Sequence, residues 1–211
     1  MIAGIILSAG ASRRMGAPKA LLDFHGETFI ERLIRIVGRV ADPVIVALGY
    51  HADAIQTQVK VPHSAVTWAV NPDPGRGQFS SLQTALALVP ADAEGFLFIP
   101  VDCPAVKLST VERAGRAFKD RPPGTLLVIP RCGDRRGHPV FAARPLLDEF
   151  LALAPTAQAR DVVHRHIPDT KYIDVDDAGI LSDVDDPEAY SRLVEQTSRD
   201  GAPSGPGGVA Q

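Results

Sequence analysis

Residues 2–22 read IAGIILSAGASRRMGAPKALL, and the change of composition within this stretch decides the fold. Positions 2–7 form an apolar run rich in isoleucine, which is typical of a strand that is buried on both faces. The run leads into a loop where Gly10 and Gly16 permit tight turns and a close approach of the backbone to a ligand. The stretch therefore predicts a buried first strand followed by a ligand-binding loop.

Short apolar runs alternate with amphipathic stretches as far as Pro130. The runs rich in β-branched and large apolar residues predict buried strands at 43–49, 65–70, 95–101 and 125–130. Apolar residues at helical spacing predict helices at 27–40, 52–59, 78–89 and 109–119. Strands that alternate with helices are joined by crossover connections, and crossovers produce parallel strands. The pattern therefore predicts a mainly parallel sheet that helices cover on both faces.

The pattern is less regular after Pro130. It predicts short strands at 140–142 and 172–175 and helices at 144–153, 158–166 and 187–195. Residues 1–196 contain no linker and no internal repeat, so we predict a single α/β domain with a three-layer, Rossmann-like, doubly wound and mostly parallel sheet. Residues 197–211 are almost all small, polar, Gly or Pro and cannot pack a core, which predicts a disordered C-terminal tail.

The composition argues against several classes of protein. A length of 211 residues with 45% apolar and 22% charged residues is the balance of an ordinary globular domain. The net charge of −3 gives no reason to expect a nucleic acid or an anionic membrane as partner, and no stretch approaches the ~20 apolar residues that span a bilayer. Cys103 and Cys132 lack CxxC spacing and a nearby histidine cluster, which predicts free thiols in a reducing compartment. We therefore expect a cytoplasmic protein without nucleic-acid or membrane partners.

The loop after the first strand carries three cations, Arg13, Arg14 and Lys19. Backbone N–H groups of such a loop can point inward and bind an anion, while the cations neutralise its charge. Gly10 and Gly16 are one residue too far apart for a Walker loop, and the G-x-G-x-x-G of a dinucleotide-binding turn is missing. The loop therefore predicts a triphosphate site of another kind. The alternative is a polar surface turn with solvated arginines.

The same loop resembles the signature of the nucleotidyltransferase superfamily that includes sugar-nucleotide pyrophosphorylases and molybdopterin nucleotidyltransferases. The pattern is L-x-[AG]-G-x-S-x-R-M-G-x-x-K-x-L, and its fixed positions are occupied here by Leu7, Ala9, Gly10, Ser12, Arg14, Met15, Gly16, Lys19 and Leu21. The resemblance implies the fold of the nucleotide-diphospho-sugar transferases and a catalytic role for Arg14 and Lys19. The residues that it implies as nucleotide ligands are Leu7, Ser8, Ala9, Gly10, Arg14 and Lys19.

A second loop supplies candidate ligands for the nucleotide base. NPDPGRGQFSSLQTAL, residues 71–86, follows a predicted strand and opens a helix. By itself this segment is a loop with a serine that caps the helix. In the family that the chain resembles, the loop surrounds the base, which makes Asn71 and Ser81 candidate ligands.

Carboxylates at two places indicate a magnesium site. FLFIPVDCPAV, residues 96–106, ends a buried strand on Asp102, at the edge where open α/β sheets bind ligands. The alternative is an aspartate that caps the N–H groups of a turn, but family members carry their metal-binding aspartate in a D-x-P motif at this position. SDVDDPEAY, residues 182–190, resembles the family's D-x-D-T-P-E-D segment. The resemblance implies Mg²⁺ bound by Asp102, which also contacts the nucleotide, and by Asp185, with Asp183 as the alternative to Asp185.

One segment and one loop position bear on the substrates. GDRRGHPVF, residues 133–141, resembles the G-H-P segment of the molybdenum cofactor cytidylyltransferases, which lies near the acceptor pocket. The resemblance makes Gly137 and His138 acceptor-binding residues, and His138 with Arg136 a candidate contact for an anionic pterin phosphate. Cytidylyl members carry Ala where guanylyl members carry Gly, so Ala9 predicts CTP in preference to GTP. The alternative is that Ala9 packs against the sheet.

The resemblance as a whole implies a reaction. CMP passes from CTP to the terminal phosphate of molybdopterin and pyrophosphate leaves, with no general base because the attacking phosphate is already anionic. A molybdenum-dependent dehydrogenase is a candidate recipient of the product. The alternatives are a guanylyltransferase, a transferase for another phosphorylated acceptor, a non-catalytic cofactor-delivery protein and an oxidoreductase. The missing dinucleotide fingerprint argues against the last of these.

Overall fold

The computed structural model describes residues 1–62 and 65–200, the last three by their backbone alone. An eight-stranded sheet forms its centre, and a two-stranded hairpin, β2–β3, lies apart from it. In chain order the strands are β1 (Ile2–Ser8), β2 (Asp23–Phe24), β3 (Glu27–Thr28), β4 (Val44–Leu48), β5 (Thr67–Val70), β6 (Gly95–Pro100), β7 (Leu127–Cys132), β8 (Arg135–Arg136), β9 (Val140–Ala143) and β10 (Thr170–Asp174). The order across the main sheet is β10-β7-β9-β6-β1-β4-β5, and β8 pairs with β7.

Most neighbouring strands of the main sheet are parallel. β1 pairs in parallel with β4 and β6, as do β4 with β5 and β7 with β10. β9 runs antiparallel between β6 and β7. In the register of the sheet, Leu7 lies opposite Ala47 on one side and Pro100 on the other. The carboxyl ends of β1, β4 and β6 therefore meet at one edge, where open α/β sheets form a ligand-binding crevice.

Helices cover both faces of the sheet. In the described residues they are α1 (Phe29–Val37), α2 (Ala52–Gln58), α3 (Gln78–Leu86), α4 (Leu108–Lys119), α5 (Leu146–Ala152), α6 (Ala159–Arg165) and α7 (Pro187–Asp200). Successive side chains of β1 point to opposite faces: Ile6 packs in a hydrophobic cluster with Phe29, and Ile5 packs in a second cluster with Phe79 and Phe150. The prediction of a single three-layer α/β domain is confirmed.

The first helix begins two residues later than predicted. Glu27 and Thr28 form β3, and α1 starts at Phe29. The Thr28 hydroxyl accepts from the Glu31 N–H (3.3 Å), and the Glu31 carboxylate accepts from the Thr28 N–H (2.9 Å). This reciprocal pair is a capping box, which satisfies two free donors at the helix start and fixes where the helix begins.

The last helix is longer than predicted. α7 continues to Asp200, so residues 197–200 of the predicted tail are helical. The Thr197 hydroxyl donates to the carbonyl oxygen of Leu193 (2.9 Å), one helical turn earlier. Residues 201–211 of the predicted tail lie outside the described residues. Within the described part of the chain, no helix is both long enough and apolar enough to cross a membrane.

Candidate nucleotide and metal site

The loop after β1 directs a lysine toward the edge of the sheet. Ser12 and Gly16 have φ of +49° and +69°, left-handed conformations that reverse the direction of the chain. The Ser12 hydroxyl accepts a hydrogen bond from the Lys19 N–H (3.0 Å), at the start of a short 3-10 turn. The Lys19 side chain is only 13% exposed. The loop therefore holds this cation inside the crevice, where the sequence predicted a phosphate site.

The Lys19 ammonium lies between two carboxylates that are far apart in the chain. Asp102 follows the end of β6, and Asp185 precedes α7. Lys19 Nζ is 2.6 Å from Asp185 Oδ1 and 3.6 Å from Asp102 Oδ2. Arg14 joins the same group, with Nη2 2.8 Å from Asp185 Oδ2. Four residues that the sequence predicted from three separate segments are therefore in one cluster.

The two carboxylates titrate differently. Burial raises the pKa of Asp102 to about 6; Lys19 opposes the shift, while the charges of Asp183 and Asp185 add to it. Hydrogen bonds from Lys19 and Arg14 hold the pKa of Asp185 below its usual value. The ionised form of Asp102 is therefore less favourable in the protein alone than in water, and further positive charge would stabilise it.

Three carboxylates form a group that fits a divalent cation. Three carboxylate oxygens lie within 4.8 Å of one another, one each from Asp102, Asp183 and Asp185. Hard cations such as Mg²⁺ and Mn²⁺ take oxygen ligands, and this donor set contains only carboxylates. Between the two last aspartates, Val184 is buried and its N–H donates to the Asp102 carbonyl oxygen (3.2 Å). The fold thus brings both candidate aspartates to Asp102.

Two cavities meet at Asp102. The first has a volume of about 310 Å³ and is lined by the loop after β1, by Lys19 and by Asp185. The second has a volume of about 780 Å³, and Asp183 is part of its wall. The residues that line both cavities are Leu7, Gln78 and Asp102. Asp185 therefore faces the first cavity, Asp183 the second, and Asp102 both.

Most of the predicted nucleotide ligands line the first cavity: Leu7, Ser8, Ala9, Gly10, Arg14, Lys19, Ser81 and Asp102. At Gly10 a side chain would meet open space, so a ligand has room to approach the backbone there. Ala9 is 8% exposed, and a Cβ placed on Gly49 would come within 3.0 Å of its methyl group. The contact with Gly49 agrees with the alternative in which Ala9 packs against the sheet, although Ala9 also lies in the wall of the cavity.

Asn71 supports the wall of the first cavity. Its amide nitrogen donates to the hydroxyls of Ser80 and Ser81, at 2.9 Å each. Its side-chain oxygen accepts from the Asp73 N–H (3.0 Å), and the residue is 6% exposed. Because these bonds occupy the amide, the structure places Asn71 as a residue that positions Ser81, whereas the sequence predicted a direct contact with the base.

Replacing Asn71 by alanine is expected to lower the free energy of unfolding by about 1–3 kcal/mol, because buried groups lose their hydrogen-bond partner. Urea unfolding of wild type and variant, followed by circular dichroism, measures the change. Ser81→Ala is the matched control: it deletes one of the partners and keeps the others, so its effect should be smaller. An unfolding midpoint that stays the same in Asn71→Ala would contradict the positioning role.

The second cavity contains the predicted acceptor residues Gly137 and His138. Burial lowers the pKa of His138 to about 4, so its ring is neutral at pH 7. A neutral imidazole offers a hydrogen bond but no charge, so the predicted contact of His138 with a phosphate would be a hydrogen bond without an ion pair. Arg136, also in the wall, is exposed and lies 4.9 Å from the centre of the Tyr172 ring. The charge on this side therefore comes from arginine.

Sequence reasoning missed several residues of both walls. In the first cavity these are Tyr50, Pro74 and Gln78. In the second they are Arg76, Arg135, Arg160 and His164. Tyr50 follows the end of β4, at the ligand edge of the sheet, so its position was a usable signal. Arg160 and His164 lie one turn apart on α6, and only the packing of that helix decides which way this face points.

Residues 4–170 match the model of one protein family, described as the MobA-like NTP transferase domain. This chain belongs to the MobA-like NTP transferase domain family. The matched span contains the loop after β1, Asp102 and the predicted acceptor residues Gly137 and His138. It ends before the segment that carries Asp183 and Asp185, so the geometry is what links those two to the rest of the site.

The relatives of this MobA-like domain carry related names. The chain is 30% identical, over 172 residues, to the molybdenum cofactor guanylyltransferase of Mesorhizobium japonicum, covering 78% of this chain and 79% of that protein. It is 34% identical, over 110 residues, to the probable molybdenum cofactor guanylyltransferase of Synechococcus elongatus. This match covers 52% of this chain and 55% of that protein, so the chain aligns with about half of the relative's length. A solved structure of Rv0371C from Mycobacterium tuberculosis H37Rv in complex with manganese aligns with a TM-score of 0.75 and 27% identity, over 92% of this chain and 98% of that one.

Proposed function

We propose that the chain is a nucleotidyltransferase that joins a nucleoside monophosphate to the phosphate of a molybdenum-cofactor-type acceptor. The observation that carries the proposal is the junction of two cavities at Asp102, beside Lys19 and the group of three carboxylates. A transfer reaction needs two substrates whose reacting groups meet, and adjoining cavities offer that arrangement. Family membership and the names of the two relatives support the same activity.

In the proposed reaction the nucleotide lies in the first cavity, with its triphosphate beside Lys19 and Arg14. A phosphate oxygen of the acceptor attacks the α-phosphorus in line. The new P–O bond forms as the bond to the oxygen that bridges the α- and β-phosphates breaks, and pyrophosphate leaves with that electron pair. The acceptor phosphate is already anionic, so no side chain has to remove a proton. The two cations contribute by positioning the triphosphate and neutralising charge on the leaving group.

The carboxylate group is the proposed place of the divalent cation. Asp102 and Asp185 would hold it on the nucleotide side, and Asp183 on the acceptor side. The ion would supply positive charge to the phosphate oxygens. Mg²⁺ is our proposal, because the donors are hard oxygens. The presence of manganese in the Rv0371C structure supports a metal in this family of folds.

The residues that line the second cavity support the proposal of a large anionic acceptor. Its volume of about 780 Å³ exceeds that of the nucleotide cavity, and four arginines, Arg76, Arg135, Arg136 and Arg160, lie in its wall. The neutral ring of His138 adds a hydrogen-bonding group that suits a polar heterocycle better than a phosphate. A pterin that carries a phosphate has both features. A molybdenum-dependent dehydrogenase in the cytoplasm remains our candidate recipient of the product.

GTP and CTP are the two candidate donors. The names of both relatives favour GTP. The sequence pattern favours CTP, because Ala9 and the Gly137-His138 segment match the cytidylyl members. However, the Ala9 methyl packs toward Gly49, which weakens the argument that it excludes a purine by size. We therefore propose GTP first and keep CTP as the second candidate.

We expect a higher kcat/KM for GTP than for CTP. Ala9→Gly should change the ratio of the two values by less than about threefold, because a methyl group that packs toward Gly49 contributes little discrimination between bases. Both values are measured by pyrophosphate release with molybdenum cofactor as acceptor. A higher kcat/KM for CTP, with a ratio that shifts about tenfold or more in Ala9→Gly, would establish the second candidate and leave nucleotidyl transfer standing.

The activity itself is tested with purified protein, each of the four NTPs, Mg²⁺ and molybdenum cofactor. Pyrophosphate should appear only when the acceptor and the metal are both present, and mass spectrometry should detect the nucleotidylated acceptor. Reactions without acceptor, and with EDTA, are the controls. Binding of the cofactor without pyrophosphate release would instead indicate a delivery protein. Electron transfer from the bound cofactor to a dye without any NTP would indicate an oxidoreductase.

A further inference from the structure

Segment 177–185 delivers two of the three site carboxylates, although most of it lies outside the nucleotide cavity. It contains a 3-10 turn, Ala178–Leu181, and carries Asp183 to the second cavity and Asp185 to the first. Its path therefore decides where two ligands of the proposed metal lie relative to Asp102. Three sets of contacts fix that path.

The first set joins the segment to the residues around Asp102. The Val184 N–H donates to the Asp102 carbonyl oxygen (3.2 Å), and the Cys103 thiol donates to the Ser182 carbonyl oxygen (3.0 Å). A Cβ on Gly179 would lie 2.3 Å from the carbonyl oxygen of the neighbouring loop, at Ala105. The two stretches of chain are therefore joined at several residues, and at Gly179 there is no space for a side chain between their backbones.

The second set joins the segment to the loop between β8 and β9, which carries Gly137 and His138. The His138 N–H donates to the Ile180 carbonyl oxygen (3.0 Å). A Cβ on Gly137 would lie 2.2 Å from that same oxygen, so any other residue at this position would displace the segment. Segment 177–185 is thus held between the loop that carries Asp102 and the loop that carries Gly137 and His138.

The third set is made by one buried carboxylate. Asp177 is 2% exposed and lies outside the walls of both cavities. One oxygen accepts from the Lys107 N–H (2.9 Å) and the Thr110 hydroxyl (2.6 Å), and the other accepts from the Gly179 N–H (3.0 Å). A buried charge needs such partners to be tolerated at all. Asp177 therefore ties the beginning of the segment to the start of α4.

We propose that Asp177, outside both cavities, and Gly137, in the wall of the second, are positioning residues that set the separation of the site carboxylates and so determine metal affinity without binding the metal. The inference rests on the proposed function, because it assigns the carboxylates to a metal. Groups that orient metal ligands typically contribute about 10–100-fold to metal affinity. Displacement of the segment should therefore weaken metal binding while the cations that hold the triphosphate stay in place.

The test measures Mn²⁺ affinity of the whole chain by electron paramagnetic resonance, without nucleotide, well below the melting temperature. We expect Asp177→Asn and Gly137→Ala each to weaken Mn²⁺ binding about tenfold or more. At saturating metal, KM for the nucleotide should stay within about twofold of the wild-type value, because Lys19 and Arg14 are untouched. Thr110→Val removes one hydrogen-bond donor to Asp177 and keeps the charge of Asp177, so it should weaken Mn²⁺ binding less. It replaces Asp177→Asn in the test if that variant does not fold.

Gly95→Ala is the matched control. Its Cβ would lie 2.4 Å from the Ala142 carbonyl oxygen, a similar clash at the opposite end of β6 from Asp102. It should lower stability and leave Mn²⁺ affinity unchanged. Equal Mn²⁺ affinity in wild type, Asp177→Asn, Gly137→Ala and Thr110→Val would overturn the positioning role, while metal-dependent pyrophosphate release by the wild type would keep the proposed function. A wild type that neither binds Mn²⁺ nor releases pyrophosphate would overturn both.

Discussion

Asp102→Asn is expected to lower kcat/KM at least about a hundredfold at saturating Mg²⁺, because the substitution keeps the shape of the side chain and removes the charge that a hard cation needs. The measurement is pyrophosphate release as Mg²⁺ is titrated. Asp174→Asn, which removes an exposed carboxylate at the end of β10, is the control and should behave as wild type. A normal response of Asp102→Asn to Mg²⁺ would remove this residue from the metal site.

The same substitution is expected to stabilise the protein without metal. The pKa of Asp102 is raised to about 6 from the usual 3.8, so between these values the folded protein holds a proton that the unfolded chain has lost. The contribution of protonated Asp102 to the free energy of unfolding is fully present below pH 3.8. It is lost as the pH rises through about 6. Asn never ionises, so Asp102→Asn should gain about 1–3 kcal/mol at pH 7 and almost nothing near pH 4. Urea unfolding of wild type and Asp102→Asn in EDTA, at pH 7 and at pH 4, measures the two differences in the free energy of unfolding.

Lys19→Ala is expected to lower kcat/KM about a hundred- to a thousandfold, because losing one preorganised charge at a developing anion typically costs ~2.7–4 kcal/mol. Its side chain is 13% exposed, so its attraction to phosphate is weakly screened. The loss of its ion pairs with Asp102 and Asp185 should also lower the melting temperature in EDTA. Added Mg²⁺ should restore the melting temperature, although it should not restore kcat/KM. Steady-state kinetics and thermal unfolding with and without Mg²⁺ separate the two effects.

Arg14→Ala is the comparison that makes the Lys19 result specific. Arg14 contacts the same carboxylate, but its side chain is 68% exposed, and exposed ion pairs contribute at most about 1 kcal/mol. Its loss should therefore affect turnover much less than the loss of Lys19. Near-normal turnover of Lys19→Ala would contradict the assignment of the loop to the triphosphate. Equal losses in both variants would show that burial is not what makes Lys19 important.

Most of the fold could be predicted from hydrophobic patterning. The strand of 2–7 became Ile2–Ser8 in the structure, and the strand of 140–142 became Val140–Ala143. Both are buried throughout, so their apolar runs have no other explanation. The small hairpin β2–β3 was not predicted, because strands of two residues have no periodicity to detect. The start of α1 was misplaced for the related reason that a capping box, rather than the apolar pattern, sets it.

The residues of the candidate site also divide into those that the sequence singled out and those whose role it left undecided. Loop composition singled out Lys19, and Asp102 was singled out because a charge that ends a buried strand needs a partner. Asp185 was implied by the resemblance of residues 182–190 to the family's motif. The role of Asn71 was beyond the sequence, since an amide can bind a ligand or brace two serines, and only its neighbours decide which. The charge of His138 was likewise undecided, because the pKa of a histidine depends on burial that no local pattern encodes.

The sequence by itself determined the alternation of strands and helices and the chemical character of the loop after β1, since both follow from local composition. Only the tertiary structure decided which cavity each aspartate faces, that Asp183 and Asp185 both reach Asp102, and that the buried Asp177 ties their segment to α4. These relations join residues separated by tens of positions along the chain. They depend on strand order and on backbone contacts at glycines, which the chain acquires only when the sheet has formed.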